Sequence, residues 1–343
     1  MTPRERIRLA EAGEQTDRVP IHVCAIGLHA AAYSGLKPAD LYKNHFTGLM
    51  SYLSHLERFG YDTYSAFRFS LGGKELGFEI EVTDFGIPMA TSGVKSVEDV
   101  NKLRLPDPAK DGTLPWNLWM IKLLKEKLGD VIPVYGFIAE PSTAAMGEAM
   151  KMEEYFFAVR KNPELIHAAT EFELKWMTKF GKAQLEAGAD ALYMVTNSNL
   201  IGPRYFDEFI TPYTRKIVQA LKPADLHYIG AEDWSIGEPS LYEKIAQTGL
   251  TGFHLFTYEG TPIEFQKAIC EKYDLVLRAS FGSGELLEGT PEKIKQDVKE
   301  FIRKAATKRF VLATDALDFQ TPNANIDAFM EAAKKFGKYP LDL

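Results

Sequence analysis

Two short strings set groups capable of proton transfer or metal binding at the ends of apolar runs: LHYIG (226–230), carrying His227, and ATDALDFQTP (313–322), carrying Asp315. A neutral imidazole is a ligand or a base, and a carboxylate is an acid, a base or a hard oxygen donor. Parallel α/β barrels build their active sites from residues at such strand ends, so the two strings predict an enzyme. His22, Cys24 and His29 form a second group. Strand alternation places His22 and Cys24 on one face without saying whether it points inward. His29, just beyond the run, is the member expected to reach a site at the strand end. His45 falls on an apolar helical stripe and reads as a core histidine, while His55 and His167 lie on helices with no case for chemistry. The stretch FGSGELLEG (281–289) lacks the lysine and spacing of a phosphate-binding loop.

Composition bounds what these groups can serve. The 343 residues are 45% hydrophobic and 25% charged, as in an ordinary globular protein with a sizeable core. A net charge of −7 and the absence of a basic run interleaved with aromatics argue against a nucleic-acid partner. No apolar stretch reaches membrane-span length, and the charged opening is not a signal peptide, so a cytoplasmic protein with no membrane partner is expected. Two cysteines, Cys24 and Cys270, are too few for a disulfide framework and read as free thiols.

The elements that would position the candidates alternate along the chain. Eight strand-like runs occupy residues 19–26, 61–67, 131–139, 191–196, 225–229, 252–256, 275–281 and 310–314, separated by amphipathic stretches. Eight is the barrel number. Between the first two runs, Leu41, Tyr42, His45, Phe46, Leu49, Met50, Leu53 and Leu56 recur at three- and four-residue steps, predicting one helix that starts behind Pro38 and packs on the barrel. After the second run, LGFEIEVTDFGIPMAT reads as a hairpin and SVEDVNKLRLPDPAKDGTLP as a capped helix and loop. The expected fold is α/β, a single (β/α)8 TIM barrel domain over residues 1–343, with a small hairpin and helix insertion after the second strand.

DRVP, SVEDVNKLRLPDP, LIGPRYFDEFITPYTRKI (200–217), LHYIG, LLEGTPEKIKQDVKEFI and TPNANIDAFMEAAKKFGKYP stand in an order and spacing that resembles the uroporphyrinogen decarboxylase superfamily, over nearly the whole chain. The resemblance implies the barrel and one of two activities: porphyrinogen decarboxylation, or methyl transfer involving cobalamin on a separate corrinoid protein. The decarboxylases carry an arginine-rich segment after the first strand, where this chain reads AIGLHAAAYSGLKP (25–38). Substrate carboxylates would lack cationic partners there. The family's Gly-His-Gly near the last strand is replaced by TDALD, so the resemblance favours the methyltransferase branch.

In that branch, zinc is held by a His-x-Cys and a distant Cys; the matching positions here are His227, Ile229 and Asp315. With both thiolates missing, the resemblance implies zinc on His227, Asp315 and a third carboxylate, for which Glu140 at the end of VYGFIAE is the candidate, either as ligand or as the acid that gives the leaving oxygen its proton. Fewer thiolates make a stronger Lewis acid, suited to an ether oxygen as leaving group. The expected reaction is therefore O-demethylation of a small methoxylated compound, with reduced cobalt on a corrinoid protein as nucleophile. His227, Asp315 and Glu140 would be the catalytic groups, and His29, Asn197, Trp234 and Tyr258 would shape the substrate pocket. Two other classes remain open. One is a metal-free decarboxylase or lyase of the same superfamily acting on a non-porphyrin substrate, with Arg68, Arg204 or Arg278 in its pocket; the other is a barrel that binds a partner without catalysis.

Overall fold

The computed structural model describes residues 1–24, 28–65, 72–84, 89–230, 240–256 and 261–341. Ten strands are seen among them: β1 (Ile21–His22), β2 (Tyr64–Ser65), β3 (Ile80–Glu81), β4 (Met89–Ala90), β5 (Val134–Ala139), β6 (Ala191–Val195), β7 (Leu226–Gly230), β8 (Gly252–Leu255), β9 (Val276–Phe281) and β10 (Phe310–Thr314). Eight of them form one parallel sheet in the order β1-β10-β9-β8-β7-β6-β5-β2, and each falls within one of the eight runs apart from a residue at the end of β7. Strands β3 and β4 make the separate antiparallel hairpin expected of the insertion, and its following helix, Val97–Lys102, is capped by Ser96. The fold is a TIM barrel.

Alternation along each strand sorts the chemistry. The outward residues Leu192, Met194, Phe253, Leu255, Leu277 and Leu312 join the large core beneath the helices. The inward residues Tyr135, Ala191, Tyr193, Ile229, Val276 and Val311 form a separate interior cluster with Ile7. Ile7 belongs to the N-terminal helix Pro3–Ala12, whose start is fixed by a Thr2–Glu5 capping box and Pro3, and whose end is a left-handed Gly13. That helix plugs the floor of the barrel, where the strands begin.

The seam between β1 and β2 is closed differently from the rest. Asp62 N donates to the Ile21 carbonyl at 2.8 Å, and Ile21 N donates to Asp62 Oδ2 at 2.8 Å. The same carboxylate, 1% exposed, takes Arg6 Nη1 at 2.6 Å and Arg18 Nη1 at 2.7 Å. The buried Asp62 and Arg6, with the partly buried Arg18, thus hold the first strand, the second strand and the floor helix together.

One expectation is corrected. The stripe between the first two strands is two helices, Pro38–Lys43 and His45–Phe59, because Asn44 leaves helical geometry and accepts from Phe46 N and Thr47 N as a cap. The break turns Phe46 and Met50 outward, at 58% and 45% exposure, rather than onto the barrel.

Candidate active site

The polar groups inside the barrel form a column from mouth to floor. Near the mouth, His22 from β1 meets the rings of Tyr193 (5.4 Å between centroids) and His254 (5.1 Å), and hydrogen-bonds Thr63 Oγ1 across the seam. His254 Nε2 lies 3.0 Å from Ser280 Oγ. Lower down, Arg278 donates to Tyr135 Oη at 2.8 Å and to Glu11 of the floor helix, and its guanidinium stacks on Tyr135 and Tyr193 at 5.0 and 5.5 Å. His227 stands at the bottom of β7, its Nε2 3.6 Å from Glu11 Oε1, with neither ring nitrogen hydrogen-bonded among the described residues. Gly252 makes room for it, since a Cβ there would lie 2.5 Å from His227 Nδ1.

The electrostatics follow from burial around one fixed cation. Burial opposes the charge on Arg278, but Tyr135, Tyr193 and the Glu11 carboxylate outweigh it and keep the guanidinium ionised. Burial first, then the nearby His254 and Arg278, hold His22 well below the ordinary imidazole range. Burial and Arg278 do the same to His227, and bring His254 down to about 3. Burial pushes the Tyr193 phenol up, so it stays protonated. The column therefore presents neutral imidazoles and phenols above one arginine paired from below.

Directly above this column is a cavity of about 40 Å³, lined by His22, Val23, Cys24, Tyr52, Tyr61, Tyr64, Ser65, Phe137, Tyr193 and Ile229. None of these linings is an arginine or lysine. A second cavity, about 370 Å³, opens at the floor between the N-terminal helix and the strand starts, and His227 lines that one.

The structure does not bring His227, Glu140 and Asp315 together. His227 is the second residue of β7 rather than its last, so it faces the floor. Glu140 caps the short helix Pro141–Ala144: its Oε2 accepts from Ser142 N at 2.9 Å and Thr143 N at 3.0 Å, and Oε1 accepts from Thr214 at 3.3 Å. Its burial pushes the carboxyl up to about 8. Asp315 lines a broad cavity beside the helix Ser283–Glu288, with Glu285 and Lys293. Among the described residues no three His, Cys, Asp or Glu side chains are grouped to hold a metal.

His29 is buried among helices, bonded to His55 and to the Thr321 carbonyl, and does not line the mouth cavity. Asn197 is exposed, its backbone N–H donating to Thr143 Oγ1 at 2.9 Å. Trp234 and Tyr258, with Arg68, lie outside the described residues. Arg204 is exposed on the turn Pro203–Tyr205. Sequence reasoning missed Tyr193, His254 and Tyr61 and placed Arg278 only in an alternative. The signal existed: in ALYMV, GFHLF and VLRASF the polar residue sits mid-strand between large apolar neighbours that must face helices, so period two turns it inward.

The sequence model of the family described as Uroporphyrinogen decarboxylase (URO-D) matches residues 2–336. A uroporphyrinogen decarboxylase from Parasynechococcus marenigrum is 23% identical over 269 residues, 76% of this chain and 74% of that protein. A methylcobamide:CoM methyltransferase, MtbA, from Methanosarcina acetivorans is 26% identical over 253 residues, 71% of this chain and 70% of that protein. A solved structure of a methyltransferase from Methanosarcina mazei superposes with a TM-score of 0.82 at 22% identity, over 98% of this chain and 99% of the other, a likeness of fold. Among the described residues no helix is long and apolar enough to cross a membrane.

Proposed function

Because the chain belongs to the uroporphyrinogen decarboxylase family, we propose that it is a methyltransferase of that family. It moves a methyl group from a small methoxylated compound, an aryl methyl ether among the options, to cobalamin carried by a separate corrinoid protein. The observation that carries this reading is the mouth cavity. About 40 Å³ is room for a few water-sized groups, and so for a methoxy group. Among the described residues its lining is neutral and largely aromatic, with no cation for substrate carboxylates. Arg278, the buried cation a decarboxylase would use, is turned to the floor, where its Nη2 donates to Glu11 and Tyr135.

A zinc centre in the manner of the methylcobamide:CoM branch does not fit these residues. Ile229 offers no donor to the cavity wall, His227 faces the floor and Asp315 lines a different cavity. No step here runs through a metal held by this chain. The corrinoid partner supplies reduced cobalt as the nucleophile. This chain holds the ether oxygen above Tyr193, whose hydroxyl is buried and has no hydrogen-bond partner among the described residues. As a protonated phenol, Tyr193 donates to the oxygen as negative charge grows on it, while Phe137 and Ile229 exclude water.

The test is direct. Purified protein, a corrinoid protein reduced to cobalt(I) and a set of methyl ethers should give loss of the cobalt(I) spectrum with one ether and appearance of its alcohol or phenol. Tyr193→Phe should slow this by about 10²-fold or more. Absence of transfer from every ether, with carbon dioxide released from a carboxylated substrate instead, would overturn the reading in favour of a lyase.

A further inference from the structure

A continuous hydrogen-bonded chain runs from the mouth cavity into the helical layer. Tyr61, which lines the cavity, has its hydroxyl 3.2 Å from His55 Nδ1; His55 Nε2 lies 2.9 Å from His29 Nδ1; and His29 Nε2 lies 2.9 Å from the Thr321 carbonyl. All three side chains are buried. The carbonyl only accepts, which fixes every proton in the neutral chain. His29 donates from Nε2, so its Nδ1 accepts from His55 Nε2–H, and His55 Nδ1 in turn accepts the Tyr61 hydroxyl. At rest, then, Tyr61 points its proton away from the cavity.

One added proton reverses the whole chain. The added proton enters from a hydronium ion in the cavity before substrate binds: Tyr61 passes its proton to His55 Nδ1 and takes the incoming one, His55 passes its Nε2 proton to His29 Nδ1, and the Tyr61 hydroxyl, now accepting from His55, points into the cavity. We propose that the Tyr61–His55–His29 chain is the proton relay of the mouth cavity, with Tyr61 delivering the proton that the departing ether oxygen requires. The use of the proton rests on the methyl-transfer reading above; the relay itself does not. In balance, the methyl C–O bond breaks with its electron pair left on oxygen, and cobalt(I) supplies the pair for the new bond to carbon. The oxygen takes the Tyr61 proton, Tyr61 takes that of His55 Nδ1, and His55 takes that of His29 Nδ1, returning the chain to rest.

The groups facing the relay are Tyr33 beside His55, Asp318 near His29, and Tyr52, Tyr64 and Cys24 around Tyr61. Burial holds His29 below the ordinary imidazole range, opposed by the Thr321 carbonyl and the Asp318 carboxylate; burial and the neighbouring His29 bring His55 down further, to about 3, so an added proton rests on His29 rather than on His55. The loop carrying Asp318 also supplies the Thr321 carbonyl, so one segment both sets the direction of the relay and supports its charged state.

Two measurements on the full chain decide the matter. Imidazole ¹⁵N shifts at neutral pH should show His29 and His55 both protonated on Nε2 alone, and Nδ1 protonation of either in the resting protein overturns the relay. For transfer, Tyr61→Phe keeps the ring and removes the hydroxyl. It should lower kcat about 10²-fold for an alkyl methyl ether with KM little changed, yet only slightly for an aryl ether whose phenol leaves as a stable anion. Equal slowing of both ethers, or none, refutes the proton-delivery role. If the wild type transfers no methyl group, the functional reading falls while the ¹⁵N result still judges the chain.

Discussion

His254 makes acid a specific threat to this fold. It is fully buried, and burial together with Arg278 brings its folded value from 6.5 to about 3. A histidine with a lowered folded value is protonated only after unfolding across that interval, so stability is intact above pH 6.5 and erodes as pH falls toward 3. At pH 5 the interval already crossed is about 1.5 units, or about 2 kcal/mol at roughly 1.4 kcal/mol per unit. Replacement by a group that does not titrate should remove this share and leave the rest. The assay is urea unfolding of wild type and His254→Gln at pH 8 and pH 5. The variant starts weaker at pH 8, because Ser280 Oγ loses its 3.0 Å partner geometry. Between the two pH values, however, the wild type should lose about 2 kcal/mol more than the variant. Protonation of surface carboxylates is common to both proteins and cancels. Equal losses in the two proteins would mean that His254 takes up a proton in the folded barrel, and the account of a neutral column above one arginine would be wrong.

Two further outcomes follow from residues outside the cavity. Glu140→Gln should fold and retain activity, because the carboxyl serves as a helix cap and burial keeps it protonated up to about pH 8. Its raised value puts the linked loss of wild-type stability between pH 4.5 and 8, so from pH 5 to 7 the wild type should lose about 3 kcal/mol relative to the variant in urea titrations; parallel curves would refute this. Asp62→Ala leaves the buried Arg6 with Asp17 alone and the partly buried Arg18 with no carboxylate, and should cost about 3 kcal/mol in calorimetry. A loss under about 1 kcal/mol would show that the ladder alone holds the seam.

The barrel was legible in the sequence because its evidence is distributed: eight apolar runs, their spacing, and punctuation by Pro and Gly all agree. The site was less so. His227 looked like a mouth residue because it matches the zinc histidine of the methyltransferase branch, although it stands in the middle of the run 225–229; the ladder pairs it with Tyr193 and Gly252 and continues through Gly230. Glu140 does stand at a strand's end, but the next residues, Pro-Ser-Thr, start a helix whose unpaired N–H groups claim the carboxylate. Asp315 follows its strand as expected and lines a cavity outside the interior. His29 and His55 illustrate the converse, since no local pattern reveals that two helical histidines and a tyrosine ahead of β2 share protons. Such a chain exists only after the helices pack.

The ion cluster at Asp62 bears on how this enzyme breathes. His22, which borders the mouth cavity, and Thr63 face each other across β1 and β2, and among the described residues the two strands are tied there through side chains and one interstrand amide. Elsewhere the strands are riveted by up to five registered pairs, and widening the cavity there would tear several amide bonds at once. At the carboxylate, by contrast, parting the described strands would stretch two guanidinium contacts and one amide, with no change of register. The floor helix carries one of those guanidinium groups, so the seam that runs up to the His22 wall of the mouth cavity is moored from the opposite end of the barrel.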